Sequence, residues 1–105
     1  MATDTLAQIP VELNDEGFFI HPDQWTEAMA PEIARREGIL ELTPDHWKVI
    51  GFMRTEYLTR GTGPTVRALG KTSGVSIKDL YRLFPKGPAK IAAKIAGIPK
   101  PRGCM

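Results

Sequence analysis

Apolar and polar positions near the N-terminus follow a strand-turn-strand pattern. Residues 10–13 and 17–20 are two short apolar segments, and the polar residues Asn14, Asp15 and Glu16 separate them. Asn and Asp side chains stabilise tight turns by bonding to nearby backbone groups. The pattern therefore predicts a β-hairpin over about residues 10–20.

After residue 20 the apolar spacing becomes helical. Two segments, residues 21–25 and 43–47, share a helix start in which Pro and Asp precede Trp. Proline in a first turn costs no hydrogen bond, and the helix dipole favours Asp there. The first helix is expected to bury three apolar residues spaced by four, namely Trp25, Met29 and Ile33. It is expected to bend at Pro31 and to end at Gly38.

The second helix is predicted from Pro44 to about Arg60, with apolar residues on more than one side, as expected of a central core helix. Three shorter helices follow, starting at Pro64, at Ser76 with its capping partner Asp79, and at Pro88. The pattern thus predicts a mainly α (α+β) fold of about five helices after an N-terminal hairpin. Residues 1–97 form the domain, and residues 98–105 are predicted to be a flexible C-terminal arm.

At 105 residues and 42% hydrophobic, the chain suits one domain with a modest core. Because it lacks an apolar run long enough to cross a bilayer and its first residues do not resemble a signal peptide, we expect a cytoplasmic protein that does not bind a membrane.

Charge is distributed unevenly. Residues 1–56 carry four Lys/Arg and eleven Asp/Glu, a balance of −7, whereas residues 57–105 carry ten Lys/Arg and one Asp, a balance of +9. The two halves could neutralise each other within the domain. Alternatively, the basic half could attract a nucleic acid or an acidic protein.

The single cysteine is the penultimate residue, Cys104, at the end of a Pro- and Gly-rich segment. It has no disulfide partner in the chain and no apolar surroundings, so chemistry with another molecule is the expected use of the thiol. One Cys and two His (His21 and His46) lack the close spacing of zinc ligands, so no metal is expected. Trp25 and Trp47 are expected to be core anchors.

Residues 65–84 resemble the helix-turn-helix of TetR-type repressors, with Lys78 and Arg82 on the helix that would read DNA. The same residues could be two packed helices of any small helical domain. DNA binding is therefore an alternative function.

A longer resemblance covers nearly the whole chain. The segments LYRLFPKGPAK (residues 80–90) and KIAGIPKP (residues 94–101), the penultimate Cys104, and TPDHW (residues 43–47) resemble the TusE/DsrC/DsvC family of sulfur-relay proteins. This resemblance implies a small orthogonal helical bundle with a helix-turn-helix-like pair and a mobile arm. It also implies a sulfurtransferase that works as a relay component rather than as a stand-alone enzyme.

The resemblance also distinguishes two branches of the family. The DsrC branch has a second cysteine eleven positions before the terminal one, where this chain has Ala93. A single thiol is similar to the TusE branch, which passes sulfur toward 2-thiouridine in tRNA. Because the Gly103-Cys104 ending is more typical of the DsrC branch, a single-cysteine DsrC-like protein of dissimilatory sulfur metabolism or its regulation is the alternative.

The family relationship implies that Cys104 accepts sulfur from an upstream persulfide donor protein and passes it to an acceptor, such as a tRNA thiolase with its tRNA. The transient persulfide is the only cofactor expected. Lys100 and Arg102 would favour the thiolate, Pro99 and Pro101 would extend the backbone, and Gly103 would be a pivot. Four basic residues could form a docking stripe or simply a solvated face: Arg82, Lys86, Lys90 and Lys94.

Overall fold

The computed structural model describes residues 2–100 of the chain. The expectations for Pro101, Arg102, Gly103 and Cys104 therefore lie outside the described residues. Two strands and five α-helices follow in order: β1 (Ala2–Leu6), β2 (Ile9–Leu13), α1 (Met29–Arg36), α2 (Pro44–Arg60), α3 (Val66–Thr72), α4 (Ile77–Leu83) and α5 (Pro88–Ile95). The predicted fold class is confirmed.

The N-terminal hairpin lies upstream of the predicted one. Strand β2 contains the first predicted segment, but its antiparallel partner is β1, with Leu6 opposite Ile9. The two-residue turn between them is Ala7-Gln8, and both residues have positive φ, 50° and 67°. Hairpin turns of this kind usually contain Asn or Gly, so the sequence gives no signal for this one. Residues 17–20 contribute only a single bridge, between Leu13 and Phe19.

The first predicted helix is divided into two elements. Pro22–Gln24 form a short 3-10 turn, Trp25 is extended, and α1 begins at Met29. A continuous helix would place the Pro31 ring against the carbonyl of residue 27 and would lose a hydrogen bond. Starting at Met29 instead puts Pro31 in the first turn, where neither cost arises and no bend is needed. The prediction that Trp25 lies within this helix is therefore wrong.

Helix α2 has the predicted bounds because both of its ends are capped. The Thr43 hydroxyl accepts from the His46 backbone N–H, and His46 Nδ1 accepts from the Thr43 N–H at 3.0 Å. The buried His46 ring therefore has its proton on Nε2, which donates to the Leu83 carbonyl oxygen at 3.0 Å. Through this imidazole, the start of α2 is tied to the end of α4.

The central helix is α5, not α2 as the sequence suggested. Helix α5 packs against α1, α2, α3 and α4, and six of its eight residues are buried. Alanines on its inner faces let neighbouring backbones approach closely, whereas α2 leaves large apolar residues such as Leu58 exposed to solvent. Within residues 2–100, no helix is long and apolar enough to cross a membrane.

Candidate functional site

The chain makes a tight reversal at the end of α5, just before the predicted C-terminal arm. Gly97 has φ +70°, its N–H donates to the Lys94 carbonyl at 3.2 Å, and the Ile98 N–H donates to the Ala93 carbonyl at 3.1 Å. This pair of bonds is the usual glycine-terminated helix end, and an apolar residue usually packs back onto the helix after it. Ile98 does so and is fully buried. Ile98 therefore belongs to the domain, and the predicted arm starts one residue later, at Pro99.

Trp25 and Arg54 hold this reversal in place, and we refer to the two side chains as the arm clamp. Trp25 Nε1 donates to the Ile95 carbonyl at 2.8 Å, and Arg54 Nη1 donates to the Ala96 carbonyl at 2.7 Å. These two carbonyls are among the last of α5, which have no partner inside the helix. The arm clamp thus satisfies the end of α5 from two other elements and fixes where the arm begins.

The two members of the arm clamp also hold each other. The Arg54 guanidinium lies 4.3 Å from the centroid of the Trp25 ring, and its Nη2 donates to the Pro22 carbonyl at 3.2 Å. Burial lowers the pKa of Arg54 from its ordinary value, but a guanidinium stays protonated at neutral pH. A fixed positive charge therefore lies at the C-terminal end of α5, where the helix dipole favours one.

Gly97 and Trp25 are matched in shape. A Cβ atom at position 97 would lie 2.2 Å from Trp25 Cδ1 and 2.6 Å from Trp25 Cβ. Because the second of these atoms is next to the backbone, a rotation of the ring cannot relieve the contact. Trp25 is therefore more than the core anchor predicted from the sequence, since its body occupies the space that a side chain at the arm exit would need.

Two ion pairs connect residues 94–100, which we call the arm base, to the acidic half of the chain. Lys94 Nζ lies 3.8 Å from a Glu37 carboxylate oxygen and 5.4 Å from the centroid of the Phe18 ring. Lys100 Nζ lies 3.2 Å from a Glu16 carboxylate oxygen. Lys100, which the sequence suggested as a thiolate-stabilising cation, thus contacts the turn after β2 in this structure.

The four predicted docking cations occupy different environments. Arg82 is exposed on α4 and pairs with Asp79, Lys86 is exposed between α4 and α5, and Lys90 is half-buried on α5. The Lys94 side chain is only 14% exposed because it lies against Phe18 and Glu37. The structure therefore does not present all four as one open stripe.

An open groove lies beside the arm clamp. Trp47 and Trp25 form part of its walls, with Gly51 and Arg54 on α2 completing one side. No atom of another part of the fold lies within 4 Å of the position that a Cβ on Gly51 would take, so the groove is open at Gly51. Sequence reasoning missed Arg54, because nothing in the sequence distinguishes it from the other charged residues of α2.

Comparison with known proteins gives a consistent family. The family model described as "DsrC like protein" matches residues 5–105. The chain is 47% identical over 103 residues to "Sulfurtransferase TusE" of Escherichia coli (strain K12), covering 90% of this chain and 93% of that protein. It is 40% identical over 105 residues to "Sulfite reductase, dissimilatory-type subunit gamma" of Nitratidesulfovibrio vulgaris (strain Hildenborough), covering all of both chains.

Solved structures agree with the sequence comparison. The fold matches a structure titled "dissimilatory sulfite reductase I (DsrI)" with a TM-score of 0.89 and 38% identity, covering 99% of this chain and 100% of that chain. It also matches DsrC of Allochromatium vinosum with a TM-score of 0.81 and 37% identity, covering 98% and 97% of the two chains. None of these comparisons supports the DNA-binding alternative, although Lys78 and Arg82 are exposed on α4 as that hypothesis required.

Proposed function

Because this chain belongs to the DsrC-like family, we propose that it is a sulfur carrier that receives sulfane sulfur on Cys104 as a persulfide and passes it to a partner protein. The observation that carries this proposal is the position of the only thiol. Cys104 is the single cysteine of the chain, and the family match extends through it to residue 105. Relatives named as sulfurtransferases align with 90% of the chain.

The transfer chemistry needs no outside oxidant or reductant. The Cys104 thiolate attacks the outer sulfur of a donor persulfide, R–S–SH, forming one S–S bond while the original S–S bond breaks. The donor leaves as a thiolate, R–S⁻, and Cys104 now carries the outer sulfur as –S–SH. An acceptor nucleophile then attacks that outer sulfur, and the Cys104 thiolate leaves. A reducing cytoplasm keeps the thiol available for this cycle.

Residues around Cys104 are proposed to assist in simple ways. Arg102 is two positions away and its charge favours the thiolate, although salt screens an exposed charge. Pro99 and Pro101 restrict the backbone to extended conformations, and Gly103 allows a change of direction beside the thiol. Protein partners would supply the remaining catalysis.

The proposed destination of the sulfur is the relay for tRNA 2-thiouridine. With one cysteine per chain, the bound sulfur cannot be retained in an intramolecular disulfide or trisulfide and must pass to another molecule. Ala93, at the position of the second cysteine in the DsrC branch, is fully buried in α5. A role beside a dissimilatory sulfite reductase is the second candidate, because the gamma subunit of N. vulgaris aligns with this chain from end to end.

Intact-mass analysis tests the carrier function. The purified protein is incubated with glutathione persulfide, and a gain equal to one sulfur atom is expected, reversible with a thiol reductant. Cys104→Ser is the matched control and should gain nothing. No adduct on the wild-type protein, or an equal adduct on Cys104→Ser, would refute the proposal.

A second experiment separates the two destinations. The gene is deleted in its own organism, and 2-thiouridine in bulk tRNA is measured by mass spectrometry, with Cys104→Ser as the complementing control. Loss of 2-thiouridine that only the wild-type gene restores supports the tRNA relay. Unchanged 2-thiouridine, together with co-purification of a sulfite reductase, supports the second candidate.

A further inference from the structure

The positive charge of the second half of the chain is not neutralised by the first half. Between residues 61 and 88 there are five Lys/Arg and one acid. Among the described residues, only one of these five cations, Arg82, forms an ion pair, and its partner is Asp79 on the same helix. The ion pairs that do join the two halves across the fold, those of Lys94 and Lys100, lie at the arm base. The excess charge is therefore concentrated on α3 and α4.

Two large apolar side chains are exposed within this charge. Ile77 is 46% exposed and Tyr81 is 51% exposed, and they lie four residues apart, on one side of α4. Lys78 and Arg82 follow them in a parallel row, so these four residues form one surface, which we call the α4 face. The Ile77 side chain packs against α3 at Gly70, where it occupies the space that a Cβ atom on Gly70 would need.

Two further exposed cations lie at or near the turn between α3 and α4. The Lys48 side chain approaches Gly74 in the turn between α3 and α4, with its Cδ 3.7 Å from the position of a Cβ there. Lys71, in the last turn of α3, is exposed. An apolar centre that includes a Tyr and has charged residues at its edge is the usual composition of a protein-protein interface.

We propose that the α4 face docks an acidic surface of the protein that exchanges sulfur with Cys104. This inference rests on the proposed carrier function and adds the site at which the partner is held while the arm reaches its active site. An acidic protein fits better than RNA because Ile77, an aliphatic side chain that is 46% exposed beside Lys78, offers an apolar contact that a phosphate backbone cannot use. A folded partner can place an apolar residue against Ile77 and Tyr81 and carboxylates against Lys78 and Arg82.

The test compares sulfur delivered by a protein with sulfur delivered by a small molecule. The protein source is an RNase-treated extract of the source cells supplied with [35S]cysteine, and label on Cys104 is measured over time. The small-molecule source is glutathione persulfide. Lys78→Glu is compared with Arg35→Glu, a matched charge reversal at an exposed cation on α1 that has no ion pair among the described residues.

Lys78→Glu is expected to slow labelling from the extract about tenfold at low salt, with little effect at high salt, because it removes electrostatic attraction between the partners. Arg35→Glu should stay near the wild-type rate. Tyr81→Ala should slow labelling at both salt concentrations, since it removes an apolar anchor. All three variants should accept sulfur from glutathione persulfide at the wild-type rate.

Each other outcome counts against the α4 face. Equal slowing by Lys78→Glu and Arg35→Glu would show a general charge effect. A variant that also reacts slowly with glutathione persulfide would show an effect on the arm itself. An effect of Lys78→Glu that is present in untreated extract but absent after RNase treatment would assign the surface to RNA. If the wild-type protein accepts sulfur from neither source, the carrier function fails, and the docking inference fails with it.

Discussion

Replacing Gly97 with alanine tests how the arm exit is built. Two costs are expected at this position. The residue has φ +70°, which places an alanine in the left-handed region at a cost of about 1–2 kcal/mol. The new methyl group would also lie 2.2 Å from Trp25 Cδ1, and moving a packed residue to accept such a group costs about 1–3 kcal/mol.

The expected loss of unfolding free energy is therefore about 2–5 kcal/mol, a large part of the roughly 5–15 kcal/mol that stabilises most domains. Gly61→Ala is the matched control. Gly61 caps α2 with φ +79°, but no atom lies within 4 Å of its would-be Cβ. It should show the backbone cost alone, about 1–2 kcal/mol.

Urea unfolding followed by circular dichroism measures both variants. With a slope of about 1–3 kcal/mol per M, Gly97→Ala should lower the midpoint by roughly 1 M or more, and Gly61→Ala by clearly less. Trp25→Gly then serves as a third variant, because glycine removes both the ring and the Cβ atom, so in its background the added methyl group has room and Gly97→Ala should cost less. Equal losses for Gly97→Ala and Gly61→Ala, or strict additivity with Trp25→Gly, would refute the proposed fit between Gly97 and Trp25.

Three further predictions concern contacts that hold the fold. Arg54→Met should lower the unfolding free energy by about 2–4 kcal/mol because the Ala96 and Pro22 carbonyls lose charged donors. Arg54→Lys should recover less than half of that loss, since one ammonium group cannot replace the two donor nitrogens of the guanidinium. Full recovery of the urea midpoint by Arg54→Lys would contradict this. A hydrogen bond from Arg36 holds the pKa of Asp4 below its ordinary value. The pair therefore stabilises the fold fully at pH values above the ordinary pKa, and this contribution is lost as pH falls through the lowered pKa. Asp4→Asn should therefore cost at most about 1 kcal/mol at neutral pH, because the pair is exposed. The urea midpoint of this variant should converge with the wild-type value as pH falls from about 5 to about 2. A difference that stays constant with pH would show that charge is not responsible. Thr43→Ala should cost about 1 kcal/mol by removing the cap of α2, whereas Thr43→Ser should cost only a few tenths.

The elements best predicted from sequence are those with local end signals. Helix α2 begins after Thr43 at a proline and ends before Gly61, and α4 begins after Ser76, whose hydroxyl accepts from the Asp79 N–H. The N-terminal hairpin lacked such a signal, because its turn is Ala7-Gln8. Local chemistry thus predicted the order of the helices but not the partner of β2.

The arm clamp could not have been predicted from sequence. Its bond from Trp25 to the Ile95 carbonyl joins residues 70 apart, and that from Arg54 to the Ala96 carbonyl joins residues 42 apart. Each carbonyl is a backbone group that every residue possesses, so no side-chain pattern marks it. Only the packing of α5 against α2 and the segment before α1 brings these groups together.

The burial of Ile98 sets a maximum working distance for sulfur transfer. Cys104 is six residues beyond Ile98, and a polypeptide spans at most about 3.3–3.6 Å per residue, so its backbone can lie no more than about 20–22 Å from that anchor. For the proposed transfer at Cys104, the donor's persulfide and the acceptor's reactive atom must therefore each come within about this radius of Ile98, plus the length of the cysteine side chain. Two partners that must fit inside one such sphere compete for space, so loading and unloading of the carrier are expected to occur one partner at a time.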